Sequence, residues 1–251
     1  MTTFRSVLSM SVAAVFVLAA FSAAVSLAGS PAGSVPTTKL KAKVSPHRRR
    51  LSPGTPIRFS IDTRFGSRPP GGRFVLRRAD YLFPRSVALN GRRFPSCSVR
   101  MLNRARGGLR ACPRGSKIGS GVVPGRAVDL GALISRGRLT LFNGPGGRSI
   151  TVNVRVRVPA IINTTVSARL RRLRGADKLT LVLPSELNTI LDGDIVTSRV
   201  HLSLGATRTV NGVKRGYVEA THCPSGGKGR MRGTFTFRGG ANASADAKVA
   251  C

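Results

Sequence analysis

The four cysteines are the residues of this chain whose chemistry is easiest to infer. They lie at Cys97, Cys112, Cys223 and Cys251. An even number of cysteines in an exported domain typically forms disulfides, and four cysteines allow three pairings. Cys251 is the last residue, where a disulfide would hold a terminal strand that would otherwise fray. Cys97 and Cys112 are near in sequence, and closing such a loop restrains the unfolded chain by about 3 kcal/mol in the chain-entropy model.

Residues Ser225 and Lys228 match the Ser-x-x-Lys acylation motif of penicillin-binding enzymes. That chemistry needs the serine and the lysine one helical turn apart, together with Ser-Asp-Asn and Lys-Thr-Gly motifs. Gly226 and Gly227 lie between the two residues and disfavour a helix, and the companion motifs are missing from the sequence. We interpret the match as chance and assign no catalytic residue.

Histidines and acidic residues offer no stronger indication of a site. The histidines do not have the spacing of a zinc site; they are His47, His201 and His222. Asp192, Asp194 and Glu186 could supply oxygens to calcium, although a hairpin turn explains the two aspartates equally well. A hydrolase with paired carboxylates would need its acids to meet in space, and the candidates are Asp62, Asp80, Asp129 and Glu219. We therefore assign no metal and no cofactor.

The first 28 residues have the layout of a secretory signal peptide. Arg5 gives a positive start, Val7 to Leu27 form an apolar run, and Ser26-Leu27-Ala28 is a small-x-small cleavage site. The sequence therefore predicts cleavage after Ala28 and a secreted or cell-surface location. A second apolar run of about 18 residues is missing from the rest of the sequence, so we expect no membrane span in the mature chain.

Charge is the most unusual bulk property of the chain. Lys and Arg number 42 against nine Asp and Glu, a net charge of +33. A field of this size attracts polyanions such as nucleic acid or anionic wall polymers by non-specific electrostatics. The candidate anion-binding residues are Arg48, Arg49, Arg50, Arg155, Arg157, Arg169 and Arg171. The alternative is that these arginines bind no ligand and simply form the solvent-exposed face of a sheet, with their aliphatic stems covering apolar surface.

Alternation of apolar and polar residues dominates the chain from Pro56 onward. It is clearest where valines at 152, 154, 156 and 158 alternate with Thr151, Asn153, Arg155 and Arg157. This period of two predicts an all-β protein, an antiparallel β-sandwich with one wet face on each sheet. We predict strands at 39–44, 57–62, 73–77, 85–89, 117–123, 127–133, 137–142, 151–158, 162–170, 178–183, 199–204, 215–222, 234–238 and 242–249.

Helix is scarce in this pattern, and the domain plan is simple. One short helix is predicted over 98–106, inside the excursion between Cys97 and Cys112, and a single turn near 185–191. Residues 29–55 are predicted as an extended leader and residues 56–251 as one disulfide-stapled domain. A subdivision near 124–135 stays open. The absence of Trp and the presence of only two Tyr argue against stacking platforms for bases or sugars.

The cysteine segments resemble a group of secreted proteins of unassigned function from high-GC Gram-positive bacteria. Pro95 to Gly121 contains Pro-x-Cys, a short spacer and Cys-Pro-x-Gly-Ser-Lys-Ile-Gly-x-Gly, and Cys223-Pro224 and Cys251 follow further on. The resemblance implies the pairs Cys97–Cys112 and Cys223–Cys251. It implies no activity.

Three functions are compatible with these observations. The first is an exported, non-enzymatic β-sandwich with a structural or binding role at the cell surface. The second is a cationic adhesin for anionic wall polymer or extracellular DNA, which depends on charge alone. The third is a secreted hydrolase whose active site is assembled from distant residues, since sandwiches can host one. The sequence specifies neither the ligand nor the oligomeric state.

Overall fold

A computed structural model of the chain describes residues 33–46, 51–106, 108–128, 133–158, 161–190 and 193–250, except for the side chains of residues 133, 134 and 190. The predicted signal peptide, the start of the leader, Arg48 to Arg50 and Cys251 lie outside these residues. Within them the protein is all-β, as predicted, with one short α-helix.

The strands of the described residues follow one another with short connections. The first nine are β1 Val35–Ser45, β2 Arg58–Arg68, β3 Leu76–Leu82, β4 Val87–Leu89, β5 Lys117–Ala127, β6 Leu133–Asn143, β7 Ser149–Val156, β8 Ile162–Leu173 and β9 Ala176–Val182. The others are β10 Thr189–Ile190, β11 Gly193–Thr197, β12 Arg199–Leu204, β13 Thr207–Val210, β14 Val213–Gly216, β15 Val218–Ala220, β16 Lys228–Phe237 and β17 Asn242–Ala250. Helix α1 spans Val99–Arg104, and 3-10 turns cover Gly91–Arg93, Leu109–Ala111, Pro145–Gly147, Ser185–Leu187 and Arg238–Gly240.

Most of these strands belong to one antiparallel sheet. Its order among the described residues is β1-β2-β12-β5-β6-β7-β8-β9-β3-β16-β17, with β10 and β11 attached to β5. Two small pairs, β13–β14 and β15–β4, lie outside it. The sheet folds over on itself, because β17 at one end of this order also lies beside β1 at the other end. Its inner face therefore encloses a single core, which gives the sandwich character.

The alternating residues fill this core as the period of two predicts. Phe59 and Ile61 of β2 are fully buried, and so are Leu204 of β12 and Phe235 of β16. Aromatic rings meet edge to face near β16, where the centroids of Phe65 and Phe235 are 5.0 Å apart. Such contacts add stability beyond the burial of apolar area.

Two of the predicted strands differ from the structure. The strand predicted at 73–77 is misplaced, because β3 turns Ala79 and Tyr81 inward, a small and a hydroxyl-bearing residue that obscure the apolar alternation. Most of the strand predicted at 127–133 lies outside the described residues; at its two ends, Ala127 is the last residue of β5 and Leu133 is the first residue of β6. The strand predicted at 215–222 is broken at Tyr217, on either side of which β14 and β15 pair with different strands.

The leader also contains more structure than a single short edge strand. Val35–Ser45 forms β1 and pairs with Arg58–Arg68 of β2 along its full length of 11 residues. Residues on either side of position 56 therefore contribute to the same sheet.

Part of one face that was predicted to be wet is buried. Thr151 and Asn153 of β7 point away from the core but have no exposed surface. The excursion that contains α1 packs over this face, and Asn163 of β8 donates to the Arg106 carbonyl at 3.0 Å. The correction follows from tertiary packing, which the local pattern does not contain.

Candidate anion-binding groove

A groove of about 740 Å³ lies at one end of the sheet, where the end of β8 meets two turns. Arginines dominate its walls. They are Arg92 and Arg93 from the turn after β4, Arg148 before β7, and Arg169, Arg171 and Arg172 from β8. The only carboxylate among its lining residues is that of Asp177. We call this the arginine groove.

Two glycines bring the turns of the arginine groove together. Gly91 begins the turn Gly91–Arg93, and Gly147 ends the turn Pro145–Gly147. A Cβ on Gly91 would lie 2.6 Å from the Gly147 carbonyl oxygen, and a Cβ on Gly147 would lie 2.3 Å from the Arg92 nitrogen. Gly147 also has φ of +66°, which favours glycine. Arg92 and Arg148, which follow these glycines, are thereby held side by side.

Asn143 fixes one of these turns to the sheet. Its side chain is fully buried at the end of β6. The Nδ2 amide donates to the carbonyl oxygens of Gly91 and Phe94, each at 2.9 Å, and to that of Pro95 at 3.2 Å. The Gly91 carbonyl also accepts from the Phe94 amide at 3.1 Å, so the amide of Asn143 matters most for the carbonyls of Phe94 and Pro95.

Asp177 forms part of the floor of the groove and is already engaged. The side chain is 3% exposed. Its Oδ2 accepts from the Leu89 amide at 2.7 Å and from Arg172 Nη2 at 3.0 Å, while Arg172 Nε donates to Oδ1 at 2.9 Å. The ion pair raises the pKa of the Arg172 guanidinium above its ordinary value, chiefly through this hydrogen bond. Asp177 therefore ties β9 to β4 and to β8.

Glu219 has the same role beneath Arg93. Its side chain is buried on β15. Oε2 accepts from Arg93 Nη1 at 2.9 Å and from Asn90 Nδ2 at 3.0 Å, and Oε1 accepts from the Gly216 amide at 3.0 Å. The hydrogen bonds of this buried carboxylate are therefore made by Arg93, by the Asn90 side chain and by the Gly216 backbone amide.

The other four arginines of the groove are not neutralised. Arg92, Arg148, Arg169 and Arg171 are exposed. Among the residues that the structure describes, they have no carboxylate within salt-bridge distance. The groove therefore presents four free guanidinium groups. Each offers a planar fork of donors that matches phosphate or carboxylate oxygens.

The lining residues of the groove include no aromatic side chain. Leu89 and Leu170 supply its apolar surface. A groove of this composition can bind the charged backbone of a polymer, but it offers no platform on which a base or a sugar could stack.

The structure separates the arginines that the sequence proposed. Arg169 and Arg171 share the outward face of β8 and lie in the groove. Arg155 is exposed on β7, and Arg157 is exposed just beyond the end of that strand; neither lines the groove. Arg48, Arg49 and Arg50 lie outside the described residues.

Sequence reasoning missed the arginines of the turns and the arginines held by buried acids. Arg92, Arg93 and Arg148 belong to turns, where a period of two gives no indication of direction. A usable indication was the arginine that follows each glycine turn, at Asn90-Gly91-Arg92 and Gly146-Gly147-Arg148. Only the tertiary packing of the two turns, at Gly91 and Gly147, brings them together.

The described acids among the hydrolase candidates, Asp62, Asp80 and Glu219, each form separate ion pairs. Asp62 is bound by Arg199, which with its hydrogen bond lowers the pKa of that carboxyl. Asp80 accepts from Thr180 Oγ1 at 2.5 Å and from Arg78 Nε at 3.0 Å. Asp129 and Asp192 lie outside the described residues. Among the residues that are described, no three His, Cys, Asp or Glu side chains gather as a metal site.

The disulfide Cys97–Cys112 is confirmed. The two Cα atoms are 5.2 Å apart. Between them α1 begins after Ser98, whose hydroxyl accepts from the Met101 amide at 3.2 Å as an N-cap, as the predicted short helix requires. Cys97 packs with Leu102 and Phe142 in a small second core.

The pairing of Cys223 with Cys251 stays a prediction, because Cys251 lies outside the described residues. The strand register agrees with it. Lys228, the first residue of β16, is paired with Ala250, the residue before Cys251.

Together, the fold and the groove define a disulfide-containing antiparallel β-protein with a cationic groove. No family model matches the chain, and no curated protein matches it. Among solved structures, it is similar to the crystal structure of BcpA, the major pilin subunit of Bacillus cereus, with 10% identity and a TM-score of 0.34. The similarity covers 85% of this chain and 40% of the pilin chain. No helix within the described ranges is long and apolar enough to cross a membrane.

Proposed function

We propose that this protein is an exported, non-enzymatic β-sandwich that acts at the cell surface by binding a phosphodiester polymer in the arginine groove. The observation that carries the proposal is the set of four groove arginines without a carboxylate partner: Arg92, Arg148, Arg169 and Arg171. The buried acids beneath them are engaged by backbone amides, Arg172 and Arg93. The groove therefore keeps its positive charge.

The chemistry of the groove favours backbone phosphate as the ligand. Guanidinium groups bind phosphate oxygens through paired N–H donors. Arg169 and Arg171 are two residues apart on one strand face, so their Cα atoms are about 7 Å apart. Arg148 lies beside them, since its carbonyl accepts from the Leu170 amide at 2.8 Å, and Arg92 lines the same groove. Several separate charges of an extended polymer can be bound together in this arrangement. Since no aromatic residue lines the groove, binding is expected to be independent of base sequence.

Salt dependence measures how many of these arginines act. Each phosphate that is neutralised releases counterions, so the logarithm of the binding constant falls with the logarithm of salt concentration by about 0.7 to 0.9 for each contact. Four contacts give a slope of about −3. We expect this slope for poly(glycerol phosphate) and for single-stranded DNA, and only weak binding of inorganic phosphate.

The test compares two charge-matched double variants. R169S/R171S removes two groove arginines, and R155S/R157S removes two arginines outside it. We expect the first variant to reduce the salt slope by about 1.5, since two contacts are lost, and the second to leave it nearly unchanged. Titration of the fluorescently labelled polymers between low and physiological salt gives the slopes.

Two results would overturn the proposal. One is an equal loss in both variants, which would assign the binding to net charge and not to the groove. The other is no binding of either polymer at low salt, which would leave these arginines as a solvated surface. If one polymer binds and the other does not, the result identifies the source of the phosphodiester.

A further inference from the structure

A second, chemically different pocket lies inside the fold. It is a cavity of about 110 Å³ lined mainly by inward-facing residues of the continuous run of strands from β12 through β5, β6, β7, β8 and β9 to β3. Its base is formed by buried aliphatic side chains, among them Leu141, Ile150, Val154 and Ala168. Tyr81 also lines it, with its hydroxyl 3.0 Å from Thr63 Oγ1. Because its one phenol is satisfied, the base of this apolar cavity has no group that would bind a charged ligand.

The apolar cavity opens at one end of the sandwich. There its lining side chains are only half-buried, including Val123, Leu183, Leu187 and Ile195. Val156 and Ile162, which are cross-strand partners, line the same end. Just beyond them Val158 is 60% exposed and Ile161 is 88% exposed. An apolar path therefore continues from the cavity to the surface.

Three buried polar residues line the open end of the cavity. Ser135, Thr197 and Asn188 are all less than 10% exposed, and among the described residues their side chains make no hydrogen bond. Gly125 of β5 is the strand partner of both Ser135 and Thr197. The two hydroxyl-bearing residues are thus separated by about 10 Å, two strand spacings. The Ile195 side chain lies against Gly125 between them. Their side-chain oxygen and nitrogen atoms are not sealed from solvent, so at the opening they are available to a ligand that enters the cavity.

We propose that this cavity binds a small neutral amphiphile. Its alkyl chain occupies the aliphatic base, and its hydroxyl or carbonyl group bonds with Thr197 at the opening. A dry cavity of about 150 Å³ lined by aliphatic and aromatic residues holds benzene, so a cavity of 110 Å³ takes about four or five carbons. None of the lining residues of the cavity belongs to the arginine groove. The proposal is therefore independent of the proposed function.

Chain length gives the sharpest test. The purified, oxidised protein is titrated with ethanol, 1-butanol, 1-pentanol and 1-octanol, and backbone amide NMR shifts at Gly125 and Gly137 report binding. We expect the affinity to rise about fourfold for each added methylene, as the area effect predicts, and to stop rising at about five carbons. Continued increase to 1-octanol, or shifts that do not saturate, would overturn the proposal, because they describe partition onto apolar surface.

Variants locate the site. A168L and the milder V154I fill the cavity, and we expect them to weaken 1-pentanol binding about tenfold and fourfold. S167L places the same leucine on the outward face of β8 and is expected to bind like the parent protein. T197V keeps the shape of the threonine but removes its hydroxyl, so we expect about fivefold weaker binding at every chain length. If V154I and T197V fold normally but bind 1-pentanol as tightly as the parent protein, the site is not this cavity.

Discussion

Gly91 and Gly147 touch through their backbones, and this contact joins the two turns that carry Arg92 and Arg148. A Cβ on Gly91 would lie 2.7 Å from the Gly147 Cα. The obstacle is backbone on both sides, which cannot rotate away as a side chain could. The arrangement of the arginine groove therefore depends on two residues that have no side chain.

Substitution of either glycine by alanine is expected to separate the turns. G91A or G147A should cost about 3 kcal/mol of unfolding free energy, because the added methyl is forced against packed backbone. It should also weaken polymer binding, because Arg92 and Arg148 move apart. Urea denaturation and the same polymer titration measure the two effects.

Gly146 provides the matched control. It also has positive φ, at +63°, but a Cβ there would meet nothing within 4 Å. G146A should cost only the backbone strain, about 1 kcal/mol, and leave polymer binding unchanged. If G146A and G147A have equal effects on binding, the backbone contact does not position the groove.

Asn143→Ala should be among the more destabilising substitutions outside the main core. It removes the donor shared by the Gly91, Phe94 and Pro95 carbonyls. The Gly91 carbonyl still accepts from the Phe94 amide, whereas the Phe94 and Pro95 carbonyls lose this donor. We expect a loss of about 2 kcal/mol, since each unsatisfied group costs about 1 kcal/mol or more. Asn153→Ala is the control, because this buried amide bonds mainly to side chains and a single carbonyl. A smaller loss in N143A than in N153A, by urea denaturation, would contradict the assignment.

The sequence was sufficient to predict the fold class and the local elements. Valines at 152, 154 and 156 all point to the same side only if the chain is a strand, and β7 forms there. The short helix predicted over 98–106 forms at Val99–Arg104, where Ser98 caps it. These are interactions between residues near in sequence, which propensity and period describe well.

The groove could be predicted only in part, because it depends on tertiary contacts between residues far apart in the sequence. Arg169 and Arg171 were identified from the polar face of β8, yet Arg155 was placed with them by the same pattern and does not line the groove. Arg92 is 77 residues before Arg169 in the chain, and only the packing of two turns brings it into the same groove. Thr151 and Asn153 were predicted to be solvent-exposed, but both are buried. The segment that covers them makes a tertiary contact, which the local sequence pattern does not contain.

Removal of the disulfide Cys97–Cys112 should lower stability without unfolding the sheet. The bridge closes a loop of 15 residues, for which the chain-entropy model gives about 3 kcal/mol. C97S/C112S should also expose Thr151 and Asn153, since the excursion that covers them loses its anchor. Hydrogen exchange at β7 would increase, whereas exchange at β2 would stay as it is. Uniform loss of protection across both strands would contradict this local role.

Cys251→Ser tests the second bridge, which stays a prediction. If Cys223 and Cys251 are paired, the substitution should cost about 2–4 kcal/mol and leave Asn242–Ala250 sensitive to protease. Peptide mapping of the parent protein under non-reducing conditions identifies the pairs directly. A peptide that links Cys97 to Cys223 would contradict both the resemblance and the structure.

Acid should weaken the edge of the sheet through Asp246. Its carboxylate accepts from Arg230 Nη2 at 2.6 Å and Arg232 Nε at 3.0 Å, and these arginines lower its pKa to about 2. The unfolded chain titrates near 3.9, so the ion pair contributes its stability above about pH 4 and loses it as the pH falls through 2. In D246N the urea midpoint should therefore fall less between pH 5 and pH 2 than in the parent protein. The difference should shrink in high salt because the pair is exposed, and an unchanged acid response in D246N would show that this pair does not contribute.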